Sequence, residues 1–156
     1  MEMNAQEIQD VRDSWKRLCA DGEKTVGLML MQKLFNTYPE SIKVFSRLGI
    51  TNKAIITIDD LSTNSAASRH AESLTSRIGT LVDLMHNTHE FKECSTEVGE
   101  IHIKYGVTAE HVDILGNVLL SVICDSQGLS KSSDLYLCWT KTWEGIAKYV
   151  KIGLQQ

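Results

Sequence analysis

The segment that decides the fold is SAASRHAESLTSRIGTLVDLMH, residues 65–86, followed after a polar corner by FKECSTEVGEIHIK, residues 91–104. In both segments apolar residues recur at spacings of three and four, which is the pattern of one helix face. The stripes comprise His70, Leu74, Arg77 or Ile78, Leu81 and Met85 in the first segment, and Cys94, Val98 and His102 in the second. The sequence therefore predicts two helices, over about 65–86 and about 91–104, each with one histidine on its apolar face.

The remaining sequence also favours helices. Asn4 with Glu7 three residues later forms a capping-box pattern, and Pro39 suits the first turn of a helix. One proline and ten glycines leave few helix breakers. Further helices are predicted before the corner at 21–22, over 23–36, from Pro39 to Gly49, after a cap at Thr108, and from Ser132 or Ser133 to about 154; for 50–64 we expect a loop or a single helical turn. The prediction is one all-α domain of seven or eight helices over residues 1–156.

Composition excludes several classes of function. Apolar residues make up 42% and charged residues 23% of the 156, which is ordinary for a globular protein of one domain. The net charge of −4 comes without a basic run, so no nucleic-acid partner is expected. No apolar stretch approaches the roughly 20 residues that span a bilayer, so no membrane association is expected. The first ten residues, MEMNAQEIQD, lack a signal pattern, and we therefore expect a cytoplasmic protein.

Four cysteines lie far apart in the sequence, at Cys19, Cys94, Cys124 and Cys138. They form no CxxC pair and show no metal-ligand spacing with histidine. In a reducing cytosol we expect free thiols.

Two of the five histidines point to a cofactor. His86, His89 and His111 fall at helix ends or corners, where histidine needs no special explanation. His70 and His102 instead lie on apolar faces, and two helices presenting imidazole inward would form the walls that a flat iron porphyrin needs. The pattern leaves two alternatives open: a di-metal helical bundle, which Glu97 and Glu100 disfavour because they fall off the His102 stripe, and a cofactor-free helical module whose histidines are structural.

Five motifs in register give the sequence a family resemblance. They are Trp15 in VRDSWK, Pro39 in LFNTYPE with Phe45 six residues on, His70 in SRHAESL with Leu74 one turn later, His102 in HIKYGV, and Trp139 with Trp143 in the last helix. Over nearly its whole length the chain resembles the globins, with a step of 32 residues from His70 to His102 that is similar to neuroglobin-like and cytoglobin-like members. The resemblance implies the globin fold, with helices packed three-over-three around haem b.

On the proximal side the resemblance implies that His102 binds iron through Nε2, while its Nδ1 donates to the carbonyl of Val98. Ile101 stands where many globins have a serine or threonine that adds a second hydrogen bond. Phe45 and Val107 would pack against haem. Arg47 would reach one propionate, and Lys104 or Tyr105 would meet the other.

On the distal side the resemblance implies that His70 either donates a hydrogen bond to bound gas or binds iron directly. Met31 occupies the position of a tyrosine in some tight oxygen binders and has no hydroxyl, and Leu74 would line the gas pocket. The connector from Leu48 to the distal helix is long and polar, which predicts that this helix can move toward haem.

The function implied is reversible binding of O2, CO or NO for oxygen storage, delivery or buffering, without enzymatic activity. The alternative is a haem-dependent nitric oxide dioxygenase or nitrite reductase, or a redox or gas sensor. Turnover would then need an external reductase. Similar invertebrate globins associate through their haem-bearing helices, so the chain is expected to be a monomer or a homodimer.

Overall fold

A computed structural model describes residues 2–156, and Met1, the first residue of the predicted domain, lies outside them. The described residues form seven α-helices and four short 3-10 segments and contain no strand, which confirms the all-α prediction. The α-helices are α1 (Ala5–Leu18), α2 (Glu23–Thr37), α3 (Ile58–Ser62), α4 (Ser65–Asp83), α5 (Thr88–His102), α6 (Ala109–Gln127) and α7 (Asp134–Leu154). The 3-10 segments are Cys19–Asp21, Pro39–Leu48, Leu84–His86 and Ile103–Tyr105.

Side-chain caps explain where the helices begin. Asn4 and Glu7 form the predicted capping box at α1, with the Glu7 N–H donating to Asn4 Oδ1 at 2.8 Å. The predicted start of α5 at residue 91 is wrong, because the helix begins at Thr88. Asn87 caps it by accepting the N–H of Glu90 at 3.2 Å, so residues 88–90, predicted to be a polar corner, form its first turn.

Side-chain hydrogen bonds hold the connector between Leu48 and α4 in place. The N–H of Ile56 donates to Asn36 Oδ1 at 2.9 Å, and the carbonyl oxygen of Ile56 accepts from Asn36 Nδ2, also at 2.9 Å. Asn64, the N-cap of α4, donates from Nδ2 to the Leu48 carbonyl at 2.8 Å. Polar residues thus anchor this segment, and the structure does not support the expectation that the connector lets α4 slide.

One cluster of buried apolar side chains joins the helices. Helix α2 packs on α4, and α7 packs on both α5 and α6. At the centre, Trp139 is fully buried and donates from Nε1 to the Ser14 hydroxyl at 2.9 Å; that hydroxyl donates in turn to Gln127 Oε1 at 2.6 Å. The Trp139 N–H and the Ser14 hydroxyl thereby have hydrogen-bond partners within the apolar core.

Among the described residues no single helix is long and apolar enough to cross a membrane; α6 and the stretch Thr88–Tyr105 pass that test only as a pair, bent by 116°.

Candidate functional site: a cavity lined by two histidines

A mostly apolar cavity of about 250 Å³ opens between α2, the Pro39–Leu48 segment and helices α4 to α7. Residues that are distant in sequence line it, because helices from both halves of the chain form its walls. Apart from Lys104, named as the alternative to Tyr105, the residues predicted for the site all line this cavity: Met31, Phe45, Arg47, His70, Leu74, Val98, His102, Tyr105 and Val107.

Sequence reasoning missed part of the lining. The polar members that it did not assign are Ser41, Ser73, Arg77 and His111, and the apolar ones are Leu34, Val44, Ile78, Leu81, Ile101, Val112, Ile114, Leu115, Trp143, Ile146 and Val150. The sequence could have indicated Arg77 as a lining residue, because it falls seven residues after His70 on the predicted stripe. His111 was not, because a histidine at the start of a helix has an ordinary local explanation.

His102 ends α5, and its ring is held from within that helix. Its Nδ1 lies 2.6 Å from the carbonyl oxygen of Val98, the acceptor expected from the resemblance. Because a carbonyl oxygen can only accept, the proton of a neutral His102 lies on Nδ1. Its Nε2 therefore keeps the lone pair that a metal would need.

His70 is positioned by the contact between α4 and α2. A Cβ built on Gly27 would lie only 2.8 Å from the Cα of Ala71, the residue after His70. The two helices therefore touch through their backbones, and only glycine fits at residue 27. This contact fixes how far α4 stands from α2 beside the histidine.

The environment of His70 keeps its ring uncharged. The pKa of His70 is lowered to about 4, mainly by burial and further by the charges of Arg47 and His102. The Phe45 ring meets the His70 ring edge-on, with 5.2 Å between centroids. At neutral pH His70 thus has one nitrogen that donates a hydrogen bond and one with a lone pair.

Arg47 and Tyr105 join two edges of the cavity. The Arg47 guanidinium carbon lies 3.9 Å from the centroid of the Tyr105 ring, and its Nη1 donates to the Val44 carbonyl at 3.2 Å. Of the two residues expected near a second propionate, Tyr105 lines the cavity, whereas Lys104 is exposed and does not. The stack therefore links the Pro39–Leu48 segment to the turn after α5.

The lining contains two arginines and three histidines but no aspartate or glutamate. Across residues 2–156, no three His, Cys, Asp or Glu side chains are grouped so that they could hold a metal ion. An apolar cavity with cationic and donor groups and no carboxylate fits an apolar molecule with acidic substituents. Haem has this character, and a histidine as metal ligand fits it as well.

Comparison with known proteins supports the same conclusion. The model of the Globin family matches residues 28–150. Cytoglobin-2 of Danio rerio is 23% identical over 149 residues, which are 92% of this chain and 80% of that protein. Two solved structures share the fold, each with a TM-score of 0.83. One is a hexacoordinated haem protein from an anhydrobiotic tardigrade, which is 14% identical and matches 99% of this chain and 96% of its own. The other is haemoglobin from the botfly Gasterophilus intestinalis, which is 16% identical and matches 99% of this chain and 100% of its own. The chain belongs to the globin family.

Proposed function

We propose that this chain binds haem b in the cavity and reversibly binds oxygen there, for storage, delivery or buffering of the gas. One observation carries the proposal: His70 and His102, from different helices, line a single apolar cavity without a carboxylate. Ferrous haem supplies the iron at which a diatomic gas binds.

His102 and its neighbours would hold the cofactor. With its proton on Nδ1 and shared with Val98, His102 presents Nε2 as the proximal ligand. Phe45 and Val107 contribute apolar wall, and Arg47 supplies a cation for an acidic substituent.

His70 would act on the gas. Since the pKa of His70 is lowered to about 4, its ring is neutral at pH 7 and can donate a hydrogen bond or serve as a second iron ligand. Met31 is fully buried and, like Leu74, offers no donor to that part of the cavity. His70 therefore becomes the side chain that sets gas affinity.

We propose a binding protein rather than an enzyme. Reversible gas binding needs an iron ligand, a hydrogen-bond donor and apolar walls, and His102, His70 and the rest of the lining supply them. Sustained consumption of nitric oxide or nitrite with an added reductase would favour the haem enzyme.

All four cysteines are free thiols, which supports the cytosol as the compartment.

The test is reconstitution of the purified chain with haemin. We expect a Soret band, a pyridine haemochrome of the b type, and spectra that cycle between two forms as oxygen is added and removed. A chain that gives no Soret band after haem addition would overturn haem binding, and rapid irreversible oxidation in place of cycling would overturn oxygen storage.

A further inference from the structure

One histidine that the proposed function does not use also lines the cavity. His111 is the third residue of α6 and forms a capping box with Thr108. In most capping boxes this position is glutamate or glutamine, whose side-chain oxygen accepts the N–H of the cap residue. Here the Thr108 N–H donates to Nδ1 of His111 at 2.9 Å.

This hydrogen bond decides which nitrogen of His111 carries the proton. A backbone N–H can only donate, so Nδ1 must accept and cannot be protonated while the bond exists. The proton of the neutral ring is therefore on Nε2. Among residues 2–156 that nitrogen makes no hydrogen bond to another protein group, since the bonds of His111 involve only its Nδ1 and its backbone N–H. The cap thus fixes the ring of a residue that lines the cavity and leaves its Nε2–H free to donate.

The other residues that line the cavity indicate which acceptor the Nε2–H of His111 would bind. Because no aspartate or glutamate lines the cavity, no residue of its wall competes for the N–H as a carboxylate. Arg47, which is proposed to serve one acidic substituent, is stacked on Tyr105 and bonded to Val44, so the second propionate of haem needs another donor. We infer that His111 Nε2 donates a hydrogen bond to a carboxylate of the bound porphyrin and thereby favours a porphyrin with free carboxylates over its ester. This inference rests on the proposed haem binding.

The test distinguishes the hydrogen bond that His111 accepts from the Thr108 N–H from the hydrogen bond that its Nε2 donates. In His111→Glu the carboxylate still accepts the Thr108 N–H, but the donor is lost and a negative charge enters the cavity. In the matched control, His111→Gln, the amide supplies both an acceptor and a donor. The measurement is the rate at which haem transfers from the holoprotein to excess apomyoglobin, with the melting temperature of each haem-free chain recorded beside it.

We expect His111→Glu to lose haem about tenfold faster than the wild type or more, because a hydrogen bond to a charged group is lost and a negative charge is added beside it. The melting temperature of the haem-free chain should be unchanged or higher. His111→Gln should stay within about threefold of the wild type. Iron protoporphyrin dimethyl ester lacks free carboxylates, so with this cofactor the difference between His111→Glu and the wild type should disappear.

Three outcomes would overturn the role of His111 alone: wild-type haem retention in His111→Glu, loss in His111→Gln equal to that in His111→Glu, or equal losses with the acid and the ester. A wild-type chain that takes up no haem would instead overturn the proposed function on which the inference rests.

Discussion

Gly99 of α5 and Gly153 of α7 lie where the two helices touch through their backbones. A Cβ built on Gly99 would lie 2.9 Å from the Cα of Gly153, and one built on Gly153 would lie 3.0 Å from the backbone nitrogen of Glu100. His102 follows Gly99 by less than one helical turn. The glycine contact therefore sets the depth at which α5 holds His102 in the cavity.

Gly99→Ala and Gly153→Ala should each lower the free energy of unfolding by about 1–3 kcal/mol. Alanine gains about 1 kcal/mol in helix propensity, but the atoms that its Cβ meets are backbone and can move only with the whole helix. Urea denaturation of the haem-free chain measures the change. Ile152→Ala, at a partly exposed position of the same helix turn, is the control and should have a smaller effect. Unchanged stability in both glycine variants would show that α5 and α7 are not in backbone contact.

His102→Ala should greatly weaken haem retention, because the proposed proximal ligand is removed. Haem binds the native state and stabilises it by mass action, so the melting temperature of the haem-loaded protein should also fall. Absorption at the Soret band and a thermal melt measure both effects. His89→Ala is a matched control, since this side chain is 82% exposed and lies outside the cavity lining. Full haem content with an unaltered spectrum in His102→Ala would exclude His102 as the ligand.

His70→Leu should speed oxygen dissociation by about tenfold to a hundredfold, which corresponds to the loss of one hydrogen bond of roughly 1–3 kcal/mol. Carbon monoxide is the less polar ligand and draws less from the donor, so its dissociation should change much less. Stopped-flow displacement gives both rates. Equal changes for the two gases would contradict a donor role and point to a steric one.

The ferrous, ligand-free protein should show the sharp split bands of low-spin iron, with His70 as the second axial ligand. The neutral ring of His70 keeps a lone pair at pH 7 and lines the same cavity as His102. Gas must then compete with His70, and apparent affinity falls with the fraction of open protein. His70→Leu should convert the spectrum to one broad high-spin band. A broad band in the wild type would mean that His70 remains off the iron.

Tyr105→Leu should accelerate haem loss by about two- to tenfold, because the stack with Arg47 that joins two edges of the cavity is removed. Tyr105→Phe keeps the aromatic face and should behave like the wild type. The rate of haem transfer to apomyoglobin distinguishes the two variants. Similar acceleration in both would assign the effect to the Tyr105 hydroxyl and not to the stack.

Local features of the sequence determined most of the helices. Helix periodicity and caps depend on residues a few positions apart, so Asn4 with Glu7, Thr108 and Ser133 mark the starts of α1, α6 and α7 as predicted. The short helix Ile58–Ser62 lies within the stretch where a loop or a single helical turn was expected. The candidate residues, above all His70 and His102, were found because a family motif fixes them by order and spacing.

The tertiary structure alone decided how these residues are held and which others join them. By sequence His111 is a histidine at a helix start; in the structure it lines the same cavity as His102, because the chain bends by 116° between the stretch Thr88–Tyr105 and α6. Gly99 and Gly153 are 54 positions apart, and no local pattern relates them, yet their contact places the helix that carries His102. The sequence alone suggested a mobile polar connector, whereas in the structure Asn36 of α2 makes two hydrogen bonds to the backbone of Ile56 within it. Periodicity and capping act along the chain, whereas backbone contacts and cavity walls form between distant segments, and only folding brings those segments together.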